Sequence, residues 1–290
     1  MLKINIKIAI RNLWKDKTNT VLNIIGLTAA FGSAVLLCLY SLYELSSDGF
    51  HSNNEFIYKV YTNVQTSKGP QSTDSHPIPF AEALQREVPG VEKISRYVTA
   101  GILLSYNGNT FRVSSAWADP AFFEIFSFPI AEGDNVSPIS DKNSIVLSRT
   151  MASTIFPKES AIGKTVTVQR NGVETPVIVT AILEEISKAN SMNFGAVFNF
   201  KILPDEVYSN NLDSWNNQNH AVYVKLESEI KPEQFEKSTK DFSSVHFADV
   251  ITNAKRDGAQ PNSDGNFRQI KLLPLKDQSF TVTKNGLISV

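Results

Sequence analysis

The sequence predicts an α+β protein: one N-terminal membrane-spanning helix, then an exported domain in which two βαβ units bracket a β-rich middle. Three observations carry this. Thr18 to Tyr43 runs twenty-six residues without a charge. Strand–helix–strand patterns recur at residues 57–100 and 221–275. Between them, Asn107-Gly108 and Asn171-Gly172 each sit between two alternating runs, the strongest short-range hairpin signal.

The uncharged stretch would reach ~39 Å as a helix at ~1.5 Å per residue, enough to cross a ~30 Å hydrocarbon core with tilt. Before it stand Lys3, Lys7, Arg11, Lys15 and Lys17 against Asp16, and after it Glu44 and Asp48. Positive-inside orientation then keeps residues 1–17 cytoplasmic and exports residues 44–290. A cleaved signal peptide is the competing reading, with an apolar core from Val21 to Thr28 and small residues Ala30, Gly32, Ser33 and Ala34 for cleavage. Against it, apolar sequence resumes at once from Val35 to Tyr40. A buried helix of a soluble domain rarely runs so long without a charge. In the leader, Lys3, Lys7, Arg11 and Lys15 recur every four residues, while Ile4, Ile8, Ile10, Leu13 and Trp14 fill much of the remaining surface. That pattern is an amphipathic helix lying along the inner membrane face. Asn19 and Thr20 suit a turn and N-cap into the span.

Beyond the span, Ile57 to Val64 alternates as a strand, and Thr66 to His76 is a polar loop. Pro79 opens a helix whose Phe80, Ala83, Leu84 and Val88 share a face, stopped by Pro89-Gly90. Val91 to Ala100 is the second strand. In the β-rich middle (about 102–205), Ile102–Tyr106 pairs with Thr110–Ala116, and Thr165–Gln169 with Thr175–Leu183. Between these hairpins, the apolar run Ala121–Phe128 supplies aromatics to a small core, and Ser148–Phe156 suits a short helix. Ala221–Leu226, Pro232–Val245 and Phe267–Leu275 make the closing strand, helix and strand, with a polar loop over residues 255–266.

Composition narrows the function classes. After residue 43 there are 23 basic and 28 acidic residues, a net of −5, and no basic patch interleaved with aromatics, so nucleic acid is not an expected partner. The single cysteine, Cys38, lies in the span as lipid-facing or helix-packing filler, so disulfides do not hold the exported domain together. No catalytic, cofactor-binding or metal-binding residue is indicated. Gly163-Lys164-Thr165 ends like a phosphate-binding loop, but Lys158 occupies the position of its first glycine, and Val166-Thr167-Val168 continues as a strand rather than a helix. His51, His76, His220 and His246 are dispersed without metal-ligand spacing. No GxSxG elbow is present, and Glu184-Glu185 reads as a solvated strand end. Trp117 and Trp215 read as core or half-buried packing.

Several blocks, in collinear order along nearly the whole chain, resemble the MacB-type (FtsX-like superfamily) ABC transporter permeases. They are Ile8-Ala9-Ile10-Arg11-Asn12-Leu13-Trp14-Lys15 with Leu22-Asn23-Ile24-Ile25-Gly26-Leu27, and Tyr43 to His51 with Ile57-Tyr58-Lys59-Val60. Ala118-Asp119-Pro120-Ala121-Phe122-Phe123-Glu124-Ile125-Phe126-Ser127-Phe128-Pro129 is the most specific, followed by Asn143–Ser148, Ile162–Thr165 and Leu272–Leu275. The resemblance implies an elbow helix over 1–17 and a first transmembrane helix over 18–43. It also implies a porter-like periplasmic subdomain from 44–101 with 206–290, and an inserted second subdomain over 102–205. It implies no enzymatic activity and no cofactor, but a separate or downstream ATP-binding subunit, homo- or heterodimerisation with a permease, a periplasmic adaptor or envelope protein as partner, and placement in the cell inner membrane. Cargo among relatives ranges from macrolides and toxins to lipoproteins, and some regulate a cell-wall hydrolase. Such permeases carry three further spans after the periplasmic core, whereas this chain shows no second apolar stretch of spanning length before Val290. The expectation is therefore the front part of a longer or split permease. The alternative is a free-standing, single-pass anchored binding or scaffold module.

Overall fold

The computed structural model describes residues 11, 14–15, 17–45, 48–170, 172–185, 190, 192–280, 282–283 and 286–287. It has two compact units, divided between residues 47 and 48. The first is helix α1 (Lys17–Leu45), long and apolar enough to cross a membrane, its apolar side chains exposed along the span. Asn19 and Thr20 lie inside this helix and are not the expected turn and cap. Arg11, Trp14 and Lys15 are helical as well. Most of the expected amphipathic leader, residues 1–10, 12, 13 and 16, lies outside the described residues.

The second unit is built on one mixed sheet. Its first half comes from β1 (Ile57–Thr66), α2 (Phe80–Glu87), β4 (Val91–Tyr106), β11 (Gln218–Leu226), α5 (Pro232–His246) and β12 (Arg268–Pro274). The strand order is β12-β1-β11-β4, every neighbour antiparallel. Each βαβ unit is therefore split, its two parallel strands separated by a strand of the other unit. This is the interlocked arrangement of a ferredoxin-like β-α-β-β-α-β motif. One face is covered by α2 and α5, burying Val60, Phe80, Leu84, Val222, Val224, Phe235, Phe242 and Ile270.

Local chemistry explains several departures from the expected elements. The polar stretch 66–76 is not all loop. β2 (Gly69–Thr73) folds back on β1, with the Thr66 hydroxyl donating to the Gly69 carbonyl at 2.7 Å and Gly69 at φ 107°. β3 (His76–Pro77) then pairs with β11. A further helix, α6 (Ala248–Arg256), follows α5 across buried Phe247. Residues 91–106 form one sixteen-residue strand, β4, and not two strands broken at Gly101. Gly101 marks no turn; β4 pairs with β11 over its first half and with β5 and β8 further on.

The distal half of β4 opens a closed barrel. It turns at Asn107-Gly108, where φ values of 46° and 78° give the left-handed pair a tight hairpin requires, into β5 (Asn109–Ala118). β5 pairs parallel with β10 (Ala196–Asn199), which pairs antiparallel with β7 (Ser144–Ser148). β7 pairs parallel with β9 (Val173–Leu183), β9 antiparallel with β8 (Thr165–Arg170), and β8 returns to β4. Six strands thus close on themselves. Leu104, Val113, Ile145, Leu147, Val166, Val168, Val177, Val179 and Phe198 are all buried in this core. α4 (Arg149–Ile155) starts where expected, the Ser148 hydroxyl accepting the Met151 N–H at 3.2 Å. β6 (Ile130–Gly133) extends the sheet beyond β9.

Between the two halves lies α3 (Phe122–Ile125) and its neighbours. Phe122, Ile125, Phe126 and Phe128 are buried with Ile57, Tyr97 and Tyr223, which point away from α2 and α5, and with Val146, Ala181 and Val197 of the barrel strands. The expected aromatic core is therefore internal, and it joins the two halves.

Candidate functional site

The residues that follow α1 in sequence enter this aromatic core at once. Asp48 adopts φ 59°, and His51 is buried. The Ser127 N–H donates to His51 Nδ1 at 3.1 Å, and the Ser52 N–H donates to the Ser127 hydroxyl, also at 3.1 Å. These reciprocal bonds tie segments 76 and 75 positions apart. The imidazole lies edge-on to Phe126 and Phe128, at centroid distances of 5.2 and 4.9 Å, with Phe50 at 4.0 Å. Burial pushes the His51 pKa down to about 4, so the ring is neutral at pH 7, and acceptance at Nδ1 leaves its proton on Nε2.

The far side of the same core holds the end of the sheet. Phe126 meets Tyr223 edge-on at 5.3 Å, and the Tyr223 hydroxyl donates to Gln278 Oε1 at 3.3 Å. Leu275, which opens a 3-10 turn (Leu275–Phe280) after β12, is buried in the core as well. Segments 48–52, 126–128 and 275–278 therefore converge on one mostly apolar joint.

A second buried arrangement holds the start of the aromatic block. Arg96 on β4 is 2 % exposed, and its Nε and Nη2 donate to the two oxygens of Asp119 at 2.9 and 2.7 Å. The Arg96 backbone N–H donates to Asp119 as well, at 2.8 Å. Phe200 and Tyr208 lie over the guanidinium at 4.7 and 5.4 Å. Burial alone would lower the Arg96 pKa, but the Asp119 hydrogen bonds and charge, with Tyr208 and Glu82, hold it above the ordinary value. The pair fixes the turn after β5 at which Asp119-Pro120 opens the Phe122–Phe128 run. Arg96 also floors a cleft of about 270 Å³ lined by Pro79, Glu82, Arg86, Asp213, Trp215 and His246.

The residues weighed from sequence find structural places. His76 and His220 face each other as partners across β3 and β11, both buried. Burial lowers both pKa values, His76 to about 4. His246 instead contacts Glu87 at 2.6 Å and stacks on Trp215 at 4.1 Å. Among the described residues, no group of three or more His, Cys, Asp or Glu side chains could hold a metal ion. Gly163 is a turn residue at φ 76° leading into β8, where Lys164 pairs with Glu159. Trp117 is buried and Trp215 half-buried, both in apolar clusters. The His51–Ser127 tie and the Arg96–Asp119 pair escaped sequence reasoning. Their only advance signal was that His51, Asp119 and Ser127 fall inside two of the family-like blocks.

Comparison with known proteins agrees with this architecture. Residues 20–242 match the MacB-like periplasmic core domain family. No curated protein matches the chain. A domain of a candidate permease protein from Porphyromonas gingivalis shares the fold, with a TM-score of 0.63 at 19% identity over 77% of this chain and 91% of that one. The periplasmic region of MacB from Actinobacillus actinomycetemcomitans aligns at a TM-score of 0.46 and 14% identity, covering 68% of this chain and 92% of its own. The extracellular domain of the noncanonic ABC-type transporter YknZ from Gram-positive bacteria aligns at 0.44 and 15%, covering 75% and 99%. With the family match spanning most of its length, the chain belongs to the MacB-like periplasmic core domain family of ABC transporter permeases.

Proposed function

We propose that this chain is a membrane subunit of an ABC transporter permease that relays ATP-driven conformational change to a periplasmic domain, without enzymatic activity of its own. In this reading α1 crosses the cell inner membrane once, residues 1–17 form a cytoplasmic elbow helix, and residues 44–290 are periplasmic. Residues 44–101 with 206–290 are the porter-like subdomain, and residues 102–205 are the inserted one. The partners are a separate ATP-binding subunit, a second permease as homo- or heterodimer, and a periplasmic adaptor or envelope protein. The output is efflux, lipoprotein release or envelope regulation.

The observation that carries the proposal is the joint directly after α1. A displacement of the chain at residue 48 would be delivered through the His51–Ser127 bonds to the aromatic core shared by sheet and barrel. Apolar packing of crystal-like density transmits strain, which suits such a relay. The test is to purify the native protein from its own membranes in mild detergent, identify co-purifying subunits, and follow hydrogen exchange at residues 48–52 and 126–128 with and without ATP plus vanadate. An accompanying ATP-binding protein and nucleotide-dependent exchange at both segments are expected. A protein that purifies alone, with exchange indifferent to nucleotide, would overturn the relay and leave a free-standing anchored binding module.

A further inference from the structure

On the face of the sheet covered by α5, a set of buried polar atoms has no hydrogen-bond partner among the described residues. Arg268, at the start of β12, is 5 % exposed, and its Nε and Nη2 have no hydrogen-bond partner among the described residues. Its guanidinium carbon lies 3.7 Å above the ring of Phe247. That cation–π contact covers one face of the cation and leaves the in-plane donors unanswered. Three more buried polar atoms in the same region are unpartnered: Thr62 Oγ1, His76 Nδ1 and Ser243 Oγ.

Register and ring contacts place these groups on the same helix-covered face, around Phe247 and Phe80. Thr62 on β1 is paired with Ile270, and Arg268, two residues from Ile270, projects from the same face of the adjoining strand. His76 Nε2 bonds the Val60 carbonyl at 3.1 Å, two residues from Thr62, and the Arg268 charge is felt at the His76 ring. His76 stacks on Phe80 at 4.2 Å, and Phe80 packs against Phe247 at 6.4 Å, the ring beneath Arg268. Ser243 lies one helical turn before Phe247, whose N–H bonds the Ser243 carbonyl at 3.1 Å. Asp74, an acid whose charge also reaches His76, is already held by Lys59 at 2.6 Å.

A buried guanidinium without a counter-charge is costly, and a side-on Nε/Nη2 fork matches two coplanar oxygens. We infer that Arg268, with the hydroxyls of Thr62 and Ser243, forms a buried site for one small planar oxyanion of formate, nitrate or bicarbonate size. Bound there, the anion would neutralise Arg268 and stitch α5 to β1 and β12. Burial pushes the Arg268 pKa down to about 10, the direction expected of a cation lacking its counterion.

The test uses the full chain in detergent, exchanged into a buffer whose only anion is bulky, with thermal unfolding followed as formate, nitrate, chloride or phosphate is added at constant ionic strength. Formate and nitrate should raise Tm saturably, by roughly 5–10 °C at a hundredfold excess over Kd. The Arg268→Met variant should lose the saturable rise. Ser243→Ala, a milder change that retains Arg268, should move its midpoint several-fold to higher anion concentration, and this decides the matter if Arg268→Met does not fold. A rise that never saturates, one equal in wild type and Arg268→Met, or an unchanged Ser243→Ala midpoint would overturn the site. Saturation by chloride alone would overturn its assignment to a planar oxyanion.

Discussion

Removal of the Asp119 carboxylate gives a sharp test of how the aromatic block is held. Asp119→Ala deletes three hydrogen bonds of 2.7–2.9 Å from Arg96 and leaves that guanidinium 2 % exposed. The remaining compensation is slight. Glu82 approaches only to 3.5 Å with its side chain 67 % exposed, and the Ile78 carbonyl stands at 3.5 Å. Breaking a buried pair from one side typically costs about 3–5 kcal/mol, because the orphaned charge remains. For a domain of this size that corresponds to a fall in Tm of roughly 6–20 °C. Replacing both partners by apolar residues, as Arg96→Met with Asp119→Leu, removes that charge and should recover most of the loss. Urea and thermal unfolding of the three variants in detergent, arranged as a double-mutant cycle, measures both effects. A loss below about 1 kcal/mol for Asp119→Ala, or a double variant no more stable than the single, would refute the account of a desolvated, mutually dependent pair.

Three other outcomes follow from the same geometry. Gly133→Ala should destabilise by about 3 kcal/mol or more in urea melts, since its φ is 93° and an added Cβ would stand 2.2 Å from the Thr180 carbonyl oxygen. His51 titrates near 4 in the folded chain against an ordinary 6.5, so the unfolded chain binds the extra proton between these values. Stability carried by its neutral form is complete above pH 6.5 and should fall by up to about 3 kcal/mol as pH drops toward 4; His51→Phe should flatten that slope in melts run from pH 4.5 to 7.5, leaving the similar share of His76. Glu236 caps the free edge of the sheet, accepting the Leu272 N–H at 3.1 Å and Lys271 Nζ at 2.7 Å, so Glu236→Ala should cost about 1–2 kcal/mol and promote edge-to-edge association visible in size-exclusion light scattering.

What could be read in advance was whatever depends on neighbours in sequence. The uncharged span announces itself by length, and Asn107-Gly108 by the positive φ that few residue pairs adopt cheaply. The short helix at Ser148–Phe156 and the Pro89-Gly90 stop are local in the same way. Gly101 misled because a glycine inside an alternating run usually marks a break, whereas here β4 passes through it unbroken. β2 was hidden by its Gly-Pro-Gln-Ser-Thr composition, which lacks apolar alternation; besides backbone pairing it is held to β1 by polar bonds such as Ser72 Oγ to Asn63 Oδ1 at 2.7 Å. Neither the splitting of the βαβ units nor the closure of the barrel through β8 and β4 has a local signature, since both are set by register between distant strands. The joint behaves likewise. His51 and Ser127 lie 76 residues apart, and nothing around His51 distinguishes a histidine that caps a distant amide from one exposed to solvent.

β4 has one further consequence. A single strand serves as an edge of the four-stranded ferredoxin-like sheet and then as a stave of the barrel, without a linker between. Two lobes joined by a loop can melt or swivel separately. Two lobes sharing a girder cannot, because loosening either one strips hydrogen bonds from a backbone the other still uses. The two halves should therefore melt in one calorimetric transition, and amides on both sides of Gly101 should open to deuterium at the same free energy.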